Sequence, residues 1–266
     1  MTLALPALLI LALAVLIWRA VVRDRHDYAR FKRLRSTQLR RRVFARWIRE
    51  SWLVLGGLGA VLLLATWPFV ADALVAIRSW GPFAGIDFAS PTVALTIAVV
   101  LLAGLAGGTL PILLLRHSVE EVPAVGDIRA LLPRNRGELP YGAGLAVTAG
   151  IVEEVLFRLA LPALLFGITQ DALVAFLGAA VVFGVLHVYQ GPLGMLFAFV
   201  LGLVFTALYV ATGTIVVPIL AHALIDLRSL VLIPVVLGRA AETPPPAAGS
   251  PTRSAPRPPD PEASEH

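Results

Sequence analysis

Cysteine is absent from all 266 residues, which excludes disulfides, cysteine-ligated zinc, iron–sulfur ligation and a cysteine nucleophile. Charge is scarce as well. Only 15% of residues are Asp, Glu, Lys or Arg while 58% are hydrophobic, and a mean hydropathy of +0.84 lies far above that of a soluble domain. What charge there is clusters. Residues 19–49 hold 12 of the 22 Lys+Arg and only two acids, Asp24 and Asp27, leaving 10 cations against 15 acids elsewhere. The pI near 10.4 therefore comes from one basic stretch in an otherwise acidic, apolar chain, which points to a membrane and not to nucleic acid. The sequence predicts an all-α, polytopic membrane helix bundle.

Apolar runs of spanning length occupy residues 1–22, about 52–71, 92–115, 140–166, 172–190, 192–212 and 213–237. About 20 apolar residues cross ~30 Å of hydrocarbon, so seven transmembrane helices are expected. The first run lacks a basic segment ahead of it and is read as a retained span, not a signal peptide. Arginine bias places the basic loop 23–50 in the cytoplasm and the N-terminus outside. Alternation then puts 77–91 outside, 116–138 inside, 167–171 outside and the C-terminus in the cytoplasm. Within the basic loop Leu39, Val43, Phe44, Trp47, Ile48 and Trp52 recur near helical spacing. That stretch is read either as an amphipathic helix on anionic lipid or as a cytoplasmic extension of the second span. Residues 239–266, with eight prolines, form an expected disordered tail.

The informative residues are charges where hydrocarbon should be. Glu153, Glu154 and Arg158 fall in the 140–166 run, His187 in the next, and His222, Asp226 and Arg228 in the last. A charge at the centre of a membrane helix costs roughly 2.5–3.5 kcal/mol, about 12–18 kcal/mol for five of them unpaired. They must pair, line a cavity or neutralise. Glu154 and Arg158 are four apart on one helix face, with Glu N-terminal, the favourable order for an ion pair. Glu153 lies about 100° around the helix and has no such cation. His222 and Asp226 are also four apart, and Phe183 and His187 repeat the spacing. Two histidines and two carboxylates on three helices can bind a divalent metal or hold and deprotonate a water without one. Arg228 is read as an anchor reaching the cytoplasmic headgroups.

Glu153 to Arg158 reads EExxxR, Phe183 to His187 reads FxxxH, and His222 to Asp226 reads HxxxD. In order, spacing and placement on successive apolar helices these motifs resemble the CPBP family, also called the CAAX-protease or Abi family of intramembrane endopeptidases. The resemblance covers about 140–230, within a four-helix core at 139–238, and leaves out the spans of 1–22 and 51–138. It implies that Glu153, assisted by His187, is the base that activates water. It further implies that His222 and Asp226 polarise the scissile carbonyl, stabilise the oxyanion or share a metal such as zinc with His187, and that Glu154, Arg158 and Phe183 support them. Many members carry Asn where Asp226 stands, and the family has been read both as metalloprotease and as glutamate-dependent.

Other chemistries lack their residues. There is no HExxH, no serine occurs in 119–228, and a GxGD pattern fails at Ala124. Two other classes stay open: a non-catalytic membrane binding or immunity protein, and a proton- or metal-coupled transporter. A conduit needs polar groups spread through the membrane thickness, whereas these concentrate at one level of three helices. The expected substrate is a membrane protein or hydrophobic peptide cut near its C-terminus. Abundant Ala, Arg and Pro suggest a GC-rich bacterium, hence a multi-pass protein of the inner (plasma) membrane.

Overall fold

The long apolar runs leave backbone amides no partner but one another, and the chain answers with helices. The computed structural model describes residues 3–114 and 125–238, and all secondary structure among them is helical. The expected disordered tail at 239–266 and Arg116 of the 116–138 loop lie outside the described residues. Helix α1 is Ala4–Phe31 and α2 is Thr37–Thr66. Helix α3 is Pro68–Arg78 and α4 is Pro91–Leu114. Helix α5 runs over 139–169, α6 is Ala172–Leu186, α7 is Val188–Thr212 and α8 is Val216–Val236.

Helices α1, α2, α4, α7 and α8 are long and apolar enough to cross a membrane, which makes this a multi-pass membrane protein. By length and composition the count is five among the described residues, not seven. Helix α6 has only 15 residues, and α5 carries Glu153, Glu154 and Arg158 along its middle. The basic amphipathic stretch is no separate element, since α2 runs unbroken from Thr37 into its apolar half.

Helix α5 packs against α8 and α6, and α6 against α7. Gly150 packs closely against Ala223 where α5 meets α8. A Cβ there would stand 2.9 Å from the Ala223 Cβ and 3.0 Å from the Ala223 nitrogen, so only glycine lets the two backbones meet. The contact falls four residues before Glu154 and one after His222. It brings those two side chains together.

The loops gather at two ends. At one, Lys32 pairs with Asp127 at 2.5 Å, the Asp127 amide donates to the Gln190 carbonyl at 2.9 Å, and the Arg134 guanidinium donates to the Leu34 carbonyl at 2.9 Å. The centre of this end is a buried clasp. Arg40 Nε lies 3.0 Å from Glu138 Oε2, with Arg40 and Glu138 side chains 0% and 1% exposed. The same guanidinium donates to the carbonyls of Ala130 and Leu132 and stacks on Phe31 at 4.3 Å. At the other end Arg78 Nε donates to the Val210 carbonyl at 2.7 Å, holding α3 to the end of α7.

Arg228 does not reach out as an anchor. Its Nε donates to Thr109 Oγ1 at 2.9 Å, and its Nη2 to the Gly108 carbonyl. Residues of α4 thus satisfy the guanidinium, tying α8 to α4.

Candidate active site

Local backbone geometry prepares the site. Pro162 lacks an N–H and cannot bond the carbonyl four residues upstream. Immediately before it, Val155–Ala160 opens into a π-helical turn. Such widened turns recur at functional sites, and this one follows directly on Glu153 and Glu154.

Glu154 is the hub. Its side chain is 0% exposed, with Oε2 3.1 Å from Arg158 Nε and Oε1 2.8 Å from His222 Nδ1. The Arg158 pair expected from the i,i+4 spacing is present, although no Arg158 N–H points along a hydrogen-bond line to the carboxylate. The guanidinium is held instead by charge and by aromatic faces, 4.9 Å from the Phe183 ring and 5.5 Å from Phe205. The contact with His222 was not legible in the sequence, because the two residues are 68 apart in the chain.

A carboxylate only accepts, so His222 presents Nδ1–H to Glu154. The imidazole stacks on Phe205 at 4.9 Å and 14°, which fixes the ring plane. Its Nε2 then faces Asp226 Oδ2 at 3.7 Å and Glu153 Oε2 at 4.0 Å. Both separations exceed hydrogen-bond length.

His187 closes α6. Its Nδ1 lies 2.8 Å from the Phe183 carbonyl, and since that oxygen only accepts, Nδ1 donates and in the neutral ring Nε2 carries the lone pair. The Phe183 ring neighbours both histidines, its centroid 4.7 Å from that of His187 and 6.2 Å from that of His222. Glu153 and His187 both line a cavity of about 150 Å³, and the Glu153 side chain is 20% exposed.

The seven expected site residues therefore form one neighbourhood, in which Glu154 bridges Arg158 and His222. His222 and His187 each spend Nδ1, on Glu154 and on a backbone carbonyl, which leaves both Nε2 atoms as the available donors. Among the described residues no three of His, Asp or Glu converge as a metal-holding group, so the expected set of His187, His222 and Asp226 around a zinc ion is not assembled.

Buried carboxylates against histidines in a helical membrane protein define a site able to move protons and bind an anionic intermediate. Residues 135–228 match a family model described as Rce1-like, type II CAAX prenyl endopeptidase. The match runs from the residues before α5 into α8 and contains all three motifs, which makes this stretch a CAAX-protease-type domain and points to intramembrane endopeptidase activity. No match was found among curated proteins or solved structures.

Proposed function

We propose that the protein is a glutamate-dependent intramembrane endopeptidase that cuts a membrane protein or hydrophobic peptide near its C-terminus. The observation that carries this reading is His222, held at Nδ1 by Glu154 at 2.8 Å while Nε2 looks at Glu153 and Asp226 across 4.0 and 3.7 Å. Gaps of that size suit a bridging water. Glu153 takes a proton from this water as its oxygen attacks the scissile carbonyl carbon, and the His187 Nε2 lone pair orients the water. His222, its imidazolium supported by Glu154 and Asp226, donates Nε2–H to the oxyanion, a contact worth about 10²–10³ in rate at comparable sites. Collapse of the tetrahedral intermediate expels the amine, which takes the proton from Glu153. Arg158, 3.1 Å from Glu154 Oε2, holds that carboxylate in place beneath His222.

We further propose seven spans, with α5 and α6 crossing beside the five longer helices, the N-terminus outside and the C-terminus in the cytoplasm of a bacterial cell. The end carrying Arg40 and Arg134 then faces the cytoplasm and its anionic lipid.

The test is cleavage by purified protein in proteoliposomes, with membrane-fraction proteomics to find C-terminal fragments that depend on it. Glu153→Gln keeps size and hydrogen bonding but removes the base, and activity should fall by ~10² or more with thermal unfolding little changed. Normal cleavage by Glu153→Gln would overturn the mechanism.

A further inference from the structure

The cavity beside Glu153 and His187 is built largely from helices outside the matched stretch. Leu16, Arg19, Ala20 and Asp24 of α1 and Ser51 and Leu55 of α2 all line it. Three π-helical turns meet around it. Arg19–Asp24 contributes Arg19, Ala20 and Asp24, Ser51–Gly56 contributes Ser51 and Leu55, and Val155–Ala160 contributes Phe157. Widened turns of this kind are rare and cluster at functional sites. Here three independent helices place one against the same space.

The lining states what the space accepts. Arg19 spends Nε on Asp24 Oδ2 at 3.3 Å and Nη1 on the Glu50 carbonyl at 3.3 Å. The Arg19–Asp24 pair, five residues apart, is the spacing a π-helical turn brings onto one face. Arg19 is thus neutralised, and Glu153 adds a negative group, so the cavity offers no net positive charge to a terminal carboxylate. Leu16, Ala20, Leu55, Leu145, Phe157 and Leu186 supply much of its apolar wall, which Tyr28, Trp47, Ser51 and Tyr189 complete with aromatic and hydroxyl groups. An engineered apolar cavity of about 150 Å³ takes benzene. A fifteen-carbon isoprenyl chain has more than twice the carbons and would not be enclosed within it.

We propose that this cavity is a specificity pocket for one apolar substrate side chain of up to about a single ring, with its size limit set by Ala20 and Leu16 of α1. The pocket rests on the endopeptidase reading, because Glu153 and His187 on its wall place the accepted side chain next to the scissile bond. It makes the N-terminal helix a determinant of which sequences are cut.

Two measurements test this, one of them independent of activity. The chain has no cysteine, so Ala20→Cys in the full-length protein reports on the cavity alone. Methyl and benzyl methanethiosulfonate should modify it, and a hexadecyl reagent should react at least tenfold more slowly. Rates are taken relative to Leu64→Cys, whose parent residue is 85% exposed on α2. Equal normalised rates for all three reagents would show an open groove, and no reaction with any would show a sealed void. Either result overturns the pocket. The second measurement is cleavage of transmembrane peptides randomised at one position at a time. Ala20→Leu and Ala20→Phe should shift the preference at one position from Leu and Phe toward Ala and Gly by about tenfold or more, the size of a one- to two-carbon discrimination in an apolar pocket. Unchanged preference in folded variants would overturn the proposal. Cleavage of no peptide by the wild-type protein would count against the endopeptidase reading, with the labelling still deciding the size limit.

Discussion

Glu153 and Glu154 are neighbours in the chain with different partners. Glu153 faces the cavity, while Glu154 is sealed between Arg158 at 3.1 Å and His222 at 2.8 Å. The two should therefore fail differently. In Glu154→Gln, one face of the amide can accept from His222, but the other turns an NH2 group toward Arg158. Breaking a buried pair costs roughly 3–5 kcal/mol, so the first symptom should be a lower melting temperature or poor yield in detergent. Replacing Glu154 with Gln and Arg158 with Leu together removes the stranded cation and should recover much of that stability. The double variant should still cleave poorly, because His222 has lost the carboxylate that supports its imidazolium. Melting and cleavage measured side by side decide the matter. A double variant that is both stable and fully active would show that Glu154 serves Arg158 alone.

At the scale of elements, the decisive contact is the crossing of α5 and α8. Gly150→Ala improves helix propensity by up to about 1 kcal/mol, but its methyl would stand 2.9 Å from the Ala223 Cβ. Overpacking of this kind costs roughly 1–3 kcal/mol, so the variant should melt lower and cut more slowly as Glu154 and His222 part. Adding Ala223→Gly removes the nearest atom, yet the Ala223 nitrogen and Cα remain at 3.0 and 3.1 Å. Rescue should be partial. Full wild-type behaviour of Gly150→Ala alone would mean that the crossing tolerates a wider spacing than the site requires.

The same scale separates what the sequence discloses from what it hides. Helical periodicity exposes pairs within one helix, such as Glu154 with Arg158 and His222 with Asp226, because four residues return the chain to the same face. It cannot expose Glu154 with His222, 68 residues apart, or Arg40 with Glu138, 98 apart. Those depend on which helices become neighbours, and the small residues at Gly150 and Ala223 are the only local trace. Arg19 and Arg228 were legible as charges in apolar runs, but their inward direction follows from the partners Asp24 and Thr109 on the packed structure. The widened turns left no periodic signal, since one extra residue per turn leaves an apolar run apolar.

At the scale of the whole molecule, charge and loop placement make one statement about orientation. The end that gathers Lys32, Arg40 and Arg134 is the basic one, and the Arg40–Glu138 clasp fixes the first turn of α2 against the residues leading into α5. The opposite end holds residues 79–90 and Arg78. If the basic end is cytoplasmic, cysteines introduced at Arg33 and Arg134 should resist a membrane-impermeant maleimide in intact cells and react after permeabilisation. A cysteine at Asp87 should react in intact cells. All three positions are exposed on the protein, so protection reports the membrane and not burial. Reaction of Arg33→Cys from outside would invert the orientation, and with it the side of the membrane on which the cavity next to Tyr28 and Tyr189 receives its substrate.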